Sequence, residues 1–187
     1  MIKNIYLLEW YGPFSNPQEI VKWEKMNIGN GKTYLYLFKG KKYARRKYSY
    51  YCGQAFEQTA GERMMNNGHH INEVIGRPKD LSIWVAKFQN KRPNKTDVNL
   101  VEKLITSVLA QVIIADEKSV LNRTNMLRPH TQAYLINEWY YPDGAPTLQY
   151  RNGTISRMVP DILICYPDDQ KAYIYGNKHT HYISDLK

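Results

Sequence analysis

The stretch that decides the fold runs from Thr33 to Phe38 (TYLYLF), continues through a basic link, and ends at Tyr48–Gly53 (YSYYCG). Both ends of this stretch are short, apolar and rich in tyrosine. Aromatic and β-branched side chains favour half-buried strands. We therefore predict two strands, Thr33–Phe38 and Tyr48–Cys52, which pair as a hairpin across the link Lys39–Lys47.

Three more elements are predicted after this hairpin. Ala55–Asn67 has a helical pattern interrupted by Gly61, and Leu81–Phe88 alternates in part like a strand. Val98–Ile114 has apolar residues three and four apart, which predicts a helix that packs on a sheet. Asp97 is the expected cap of that helix.

Further strands are predicted at the two ends of the chain. Asn4–Tyr11 predicts a strand that Gly12 and Pro13 end, and a short helix is expected from Asn16. This opening segment is expected to lie over the edge of the domain. From His130 onward the chain predicts hairpins with strands at Ala133–Tyr140, Thr147–Tyr150, Asp161–Tyr166 and Ala172–Tyr175.

Together these elements predict an α/β (α+β) fold. Its centre is a small three-stranded antiparallel sheet flanked by helices, and a β-rich extension follows it. The expected divisions are an N-terminal elaboration at 1–30, a central domain at 31–128 and the extension at 129–187.

Composition narrows the class of protein. The chain has 187 residues, 26 Lys and Arg against 17 Asp and Glu, and a formal net charge of +9. Such a balance favours a polyanionic partner, most commonly nucleic acid. Six of the cations fall within the basic link, and they suit a duplex backbone: Lys39, Lys41, Lys42, Arg45, Arg46 and Lys47.

Other sequence features bear on where the protein works. No apolar run is long enough for a membrane span, and the first residues do not form a secretory signal. Cys52 and Cys165 are the only cysteines, and they lie in strand-like apolar stretches. Two buried thiols in a reducing compartment are therefore expected, which predicts a cytoplasmic protein.

The order of the polar residues carries the chemistry. Tyr36 and Tyr51 lie on the predicted hairpin, Arg63 on the next helix and Glu102 on a later one. At about 100° per residue, Glu102 falls at the border of the apolar stripe of its helix, where a carboxylate can point into a cleft. Phenols, a guanidinium and a carboxylate are suited to cutting phosphodiesters, which requires activated water and charge neutralisation.

In this ordered set, roughly Lys32–Asn125 resembles the GIY-YIG nuclease superfamily. Tyr34-Leu35-Tyr36 and Tyr51-Cys52-Gly53 match its two triplets, and Arg63 and Glu102 match its helix arginine and glutamate. The resemblance implies a DNA endonuclease, a phosphodiester hydrolase with one Mg²⁺ or Mn²⁺ ion held by Glu102. Departures from the pattern suggest a divergent member of restriction or mobile-element type.

The resemblance also implies a role for each matched residue. Arg63 stabilises the pentacovalent phosphate, Tyr36 acts as base or orients the attacking water, and Tyr51 contacts the phosphate. Gln54 and Asn122 are expected to contact nucleic acid, and Asn125 competes with Asn122 for its position. For Tyr34, which replaces the glycine of the first triplet, packing is expected.

Some choices stay open at this point. The histidine position of the family falls at Asn67, yet His70 could fold back over Arg63, and His69 is the alternative. The DNA is expected to be double-stranded and the protein could be a homodimer. A module that kept the fold and binds nucleic acid or a protein partner without catalysis is the alternative function.

Overall fold

A computed structural model describes residues 4–27, 32–41, 48–66, 69–73, 80–112, 131–146, 159, 161–166, 171–175 and 181–183. The strands in these ranges are β1 Ile5–Phe14, β2 Leu35–Lys41, β3 Tyr48–Gln54, β4 Ser82–Phe88, β5 Ala133–Tyr140, β6 Ile162–Tyr166, β7 Lys171–Tyr175 and β8 His181–Ile183. They form one mixed sheet in the order β3-β2-β4-β1-β5-β6-β7-β8. The helices are α1 Pro17–Asn27, α2 Ala60–Met65 and α3 Lys95–Val112, with a 3-10 turn at His70–Glu73.

The predicted three-stranded sheet is wrong, although the broader α+β class holds. The strands β3, β2 and β4 do pair antiparallel in that order, but β4 continues into β1, and β1 pairs in parallel with β5. The expectation that the opening segment lies over an edge is therefore also wrong. β1 is buried in the middle of the sheet, where Tyr6, Leu8 and Trp10 are at most 1% exposed.

Gly12 and Pro13 do not end β1 as predicted. The strand continues to Phe14, and its register against β4 shifts between Tyr11 and Phe14. Gly12 has a φ of 153°, and a Cβ there would lie 2.6 Å from the carbonyl oxygen of Ile83. A glycine lets the two backbones approach, so the pair marks an irregularity inside the strand.

The helix starts also differ from the prediction. α2 begins at Ala60 because Thr59 caps it: Thr59 Oγ1 accepts from the Glu62 amide, and the Glu62 carboxylate accepts from the Thr59 amide. Gly61 therefore lies in the first turn and does not interrupt the helix.

A reciprocal cap also starts α3. Asn94 Oδ1 accepts from the Asp97 amide at 2.9 Å, and Asp97 Oδ2 accepts from the Asn94 amide at 3.0 Å. Asn94, not Asp97, is therefore the capping residue. None of the helices in the described ranges is long and apolar enough to cross a membrane.

The sheet has an apolar cluster on each face. On one face α3 buries Val101, Leu104 and Val108 against β2, β3 and β4. On the other face α1 and α2 bury Ile20 and Met64 in a cluster that includes Tyr36. The sheet edge at β3 therefore lies between α2 and α3.

The β-rich C-terminal part extends the same sheet. β5, β6, β7 and β8 pair antiparallel in sequence order. The first three lie close to predicted strands, whereas β8 was not predicted. The predicted strand Thr147–Tyr150 lies outside the described residues. Cys52 and Cys165 are both buried thiols, as predicted, in β3 and β6.

Candidate active site

Tyr36 and Tyr51 lie on the α2 face of the β2–β3 hairpin. Tyr36 is paired with Gly53, and Phe38 with Tyr51. The two tyrosine rings stack with centroids 6.0 Å apart. A Cβ at Gly53 would lie 2.4 Å from the Tyr36 ring, so glycine at this position makes room for Tyr36.

His69 holds the hydroxyl of Tyr36. Its Nε2 lies 2.7 Å from the Tyr36 oxygen, and its Nδ1 accepts a hydrogen bond from the Ile71 amide at 3.1 Å. Burial, together with the charges of Arg63 and His70, lowers the pKa of His69 to about 4. The ring is therefore neutral near pH 7. Because Nδ1 is an acceptor, we infer that Nε2 carries the proton and donates to Tyr36.

The environment keeps Tyr36 protonated near neutral pH. Its side chain is 1% exposed, and burial raises its pKa above that of a free phenol. The nearby Tyr51 also raises the pKa of Tyr36, whereas the Arg63 charge lowers it. A protonated phenol can donate a hydrogen bond or orient a water molecule. To act as the base that was predicted, Tyr36 would need a lower pKa.

Arg63 lies on α2 and influences this cluster through its charge. Its charge lowers the pKa of Tyr36, Tyr51 and His69, so the guanidinium lies near all three. The Arg63 side chain itself is exposed. It can therefore meet a ligand that approaches from solvent.

A buried carboxylate fixes the helix that carries Arg63. Glu24 on α1 accepts from the Thr33 hydroxyl and from the Gly61 amide, at 3.2 and 3.3 Å for its two oxygens from Gly61. Thr33 Oγ1 in turn accepts from the Ala60 amide at 2.9 Å. A Cβ at Gly61 would lie 2.6 Å from Glu24, so glycine allows this approach.

Both histidines contact Tyr51, and His69 also contacts Tyr36. The His70 ring lies at a tilt to Tyr51, with centroids 5.0 Å apart. The His69 ring lies edge-on to Tyr51, with centroids 6.0 Å apart, and also contacts the Tyr36 ring. The predicted His70 therefore lies beside the cluster, and the alternative His69 is the one bonded to a motif tyrosine. Asn67 lies outside the described residues.

Glu102 approaches the same edge strand from the α3 side. It is 7% exposed, and its charge raises the pKa of Tyr51 and of Cys52. Its Oε2 accepts from Gln54 Nε2 at 3.0 Å. Gln54, predicted to contact nucleic acid, is thus bonded to the proposed metal ligand.

Asn99 is a polar neighbour that the sequence did not single out. Gln54 Nε2 also donates to Asn99 Oδ1, at 2.6 Å. Asn99 lies three residues before Glu102, which puts both on one helix face. This three-residue spacing was the one sequence signal that could have linked Asn99 to the site.

The predicted nucleic-acid interface is described only in part. Lys39 Nζ lies 4.1 Å and Lys41 Nζ 4.5 Å from the centroid of the Tyr48 ring, so one aromatic ring contacts both cations. Burial and the Lys41 charge lower the pKa of Lys39. The predicted residues Lys42, Arg45, Arg46, Lys47 and Asn122 lie outside the described residues.

The donor set at Glu102 limits what kind of ion could bind. Within the described ranges, no group of three or more His, Cys, Asp or Glu residues is placed to hold a metal ion. Mg²⁺ is commonly bound through one or two carboxylates while it keeps several waters. A single glutamate therefore fits a weakly held, largely hydrated ion and does not fit a structural zinc site.

Comparison with family models, curated proteins and solved structures gave no match for this chain.

Proposed function

We propose that this protein is a divalent-metal-dependent endonuclease that hydrolyses DNA phosphodiesters at the β3 edge of its sheet. One observation carries the proposal. The rings of Tyr36, Tyr51 and His69 contact one another, and the Arg63 charge lowers the pKa of all three. Glu102, on α3, raises the pKa of Tyr51 in the same edge strand. The hydroxyl of Tyr51 is the centre of this cluster, because both Arg63 and Glu102 influence its pKa.

The charges on the two sides of β3 suit a phosphate that lies across the edge. The Arg63 guanidinium can bind phosphoryl oxygens in a bidentate manner and stabilise the charge that develops on them. Glu102 is the group that would hold Mg²⁺ or Mn²⁺, which supplies further charge neutralisation and a water of lowered pKa. Arg63 and the ion would then neutralise the phosphate from opposite faces of the sheet.

The tyrosine and histidine side chains are the groups that would orient the phosphate and the attacking water. Tyr51, half-buried, is the hydroxyl best placed to contact the phosphate or its attacking water. Tyr36 is held by His69 and orients Tyr51 through their stacked rings. His70 lies beside Tyr51, so its imidazole is a further polar group close to the proposed phosphate.

DNA binding is the other half of the proposal. The net charge of +9 favours a polyanion. Lys39 and Lys41 extend from the hairpin that carries Tyr36 and Tyr51, so a duplex bound along the hairpin would reach the site. A cytoplasmic location, expected from the buried thiols, belongs to the same proposal.

A second candidate is a nucleic-acid-binding module without catalysis. The observation that favours it is the burial of Tyr36, which raises the pKa of the phenol and leaves 1% of the side chain exposed. Such a module would bind duplex DNA through the same lysines and leave it intact.

One assay tests the proposed function. Supercoiled plasmid, linear duplex and single-stranded RNA are incubated with the protein in Mg²⁺, Mn²⁺ or EDTA, and the ends of any product are mapped. The control is the doubly substituted chain Arg63→Ala, Glu102→Gln, purified in parallel. We expect metal-dependent DNA cutting by the wild type alone. Binding without cutting would support the second candidate, and equal cutting by both preparations would indicate a contaminating nuclease.

A further inference from the structure

The amide of Gln54 joins two oxygens that lie one helical turn apart on α3. Its Nε2 is 2.6 Å from Asn99 Oδ1 and 3.0 Å from Glu102 Oε2. A primary amide has two N–H donors, so each oxygen can receive its own hydrogen. The two oxygens therefore converge on one point, which the amide nitrogen now occupies.

The placement of these residues follows from the fold. Gln54 is the last residue of the edge strand β3, and α3 packs across that strand. Asn99 and Glu102 are three residues apart, so their side chains leave the same face of α3. Asn99 is exposed while Glu102 is 7% exposed, so the pair is open to solvent at one end and enclosed at the other.

Such a convergence of oxygens is what a hard cation requires. Carboxylate and amide oxygens are ligands for Mg²⁺ and Mn²⁺. The terminal torsion of glutamine is broad and roughly two-fold, so a half-turn exchanges Nε2 for Oε1 at low cost. After that rotation, Gln54 would present a third oxygen where it now presents hydrogens.

We propose that Asn99 and Gln54 form, with Glu102, an all-oxygen site for a divalent cation. Gln54 holds the two α3 oxygens in position before the ion arrives and then turns its own oxygen toward the ion. The inference rests on the proposed function for the role of Glu102, and it adds two neutral ligands to that single carboxylate. The site also explains why Gln54 is bonded to α3.

Binding of Mn²⁺ to the full chain without nucleic acid tests this site, with free Mn²⁺ measured by electron paramagnetic resonance. We expect Asn99→Ala and Gln54→Ala each to weaken binding by roughly tenfold or more, in the range found when metal-site partners are lost. Asn99→Asp should tighten binding because it adds a charge. Gln89→Ala, an exposed glutamine after β4, should bind as the wild type does.

The outcomes separate this inference from the proposed function. Weaker Mn²⁺ binding by Asn99→Ala with tighter binding by Asn99→Asp supports the site, even if the protein never cuts DNA. Wild-type affinity in both Asn99 variants overturns the site, even if DNA is cut in a Glu102-dependent way. Absence of Mn²⁺ binding by the wild type also overturns it. Because misfolding does not tighten binding, the Asp variant keeps the test decisive.

Discussion

The hydrogen bond between His69 and Tyr36 defines the protonation of the cluster. A neutral imidazole that accepts from the Ile71 amide must donate through Nε2, so the Tyr36 oxygen is an acceptor in this bond. His69 is then a positioning residue for the phenol. The bonds to Tyr36 and to the Ile71 amide give each ring nitrogen of His69 a partner. A neutral histidine, with a pKa of about 4, can therefore be buried at this position at little cost.

Arg63 is expected to contribute to the rate of cleavage. Arg63→Ala should reduce single-turnover cleavage by about 10²-fold or more, as expected for the loss of one group that stabilises transition-state charge. Arg92→Ala, which removes an equally exposed arginine from the loop after β4, should leave the rate unchanged. If both variants cut at the wild-type rate, Arg63 is a surface residue with no role in the chemistry.

His69 should make stability depend on pH. The pKa of His69 is about 4 in the folded protein and 6.5 for an unperturbed histidine, which represents the unfolded chain. Between pH 4 and pH 6.5 the unfolded chain therefore binds more protons than the folded protein. The free energy of unfolding should therefore fall as the pH drops from 7 to 5, by about 1–2 kcal/mol from this group. Urea unfolding at both pH values measures it.

The His69→Gln variant isolates this contribution. It lacks the titrating group, so the stability difference between wild type and variant should shrink on acidification. His70→Gln keeps His69 and should still lose stability on acidification, but less steeply, because the His70 charge contributes to the lowered pKa of His69. Parallel losses in the wild type and in His69→Gln would show that His69 is not the group responsible.

At the residue level, the sequence indicated which side chains form the candidate site but not which hydrogen bonds they make. The order of tyrosines, arginine and glutamate was readable, and the packing role of Tyr34 is confirmed by its ring contacts with Phe56 and Phe88. The choice between His69 and His70 depends on how a short 3-10 turn is oriented, and no periodicity encodes that. Asn99 was missed because its one signal, the three-residue spacing to Glu102, is common between polar residues on a helix.

At the scale of elements, the β2–β3 hairpin was predictable because its pattern is local. The tyrosine-rich strands pair across the basic link as expected, from Leu35 with Gln54 to Lys41 with Tyr48. The start of α2 was readable but was missed. Thr59 and Glu62 have the spacing of a capping box, and that signal places the helix start after Thr59, not at Ala55.

The hairpin should supply affinity that does not depend on DNA sequence. Each lysine that neutralises a phosphate adds about −0.9 to the slope of log affinity against log salt concentration. Replacing both Lys39 and Lys41 by Gln should therefore flatten that slope by up to about two units. Fluorescence anisotropy with a labelled duplex at several salt concentrations measures the slope.

A control for total charge is available outside the hairpin, on α1. Lys22 and Lys25 are exposed on α1, which packs on the opposite face of the sheet from α3. Their double replacement by Gln removes the same charge and should leave the slope nearly unchanged. Equal flattening by both pairs would mean that net charge, and not the hairpin, attracts the DNA.

At the scale of the whole molecule, β1 unites parts of the chain that are far apart. It pairs with β4 and β5, and Trp10 Nε1 donates to the buried Asn137 Oδ1 at 2.8 Å. The Trp10 and Trp139 rings stack beside that bond, 5.3 Å apart. Strand order between distant segments is set by such contacts and leaves no local signature, so the sequence predicted most strands but not the sheet.

This arrangement predicts that residues 31–128 do not fold alone. The fragment lacks β1 and β5, which would expose the edge of β4 and remove Leu8, Ala133 and Leu135 from the core. Circular dichroism with thermal unfolding should show no cooperative transition for the fragment and a clear one for the full chain. A cooperative transition in the fragment would show that the central segment is an independent domain.

The central claim is that Glu102 enables metal-dependent phosphodiester cleavage at the β3 edge. The most direct measurement is single-turnover cleavage of a labelled duplex in Mg²⁺ by the wild type, Glu102→Gln and Glu138→Gln, at saturating protein. We predict that Glu102→Gln loses cleavage and retains DNA binding, because it removes one charge and preserves shape. Glu138→Gln, on the distant strand β5, should cut normally. Cleavage by Glu102→Gln at the wild-type rate, in a preparation free of other nucleases, would contradict the account.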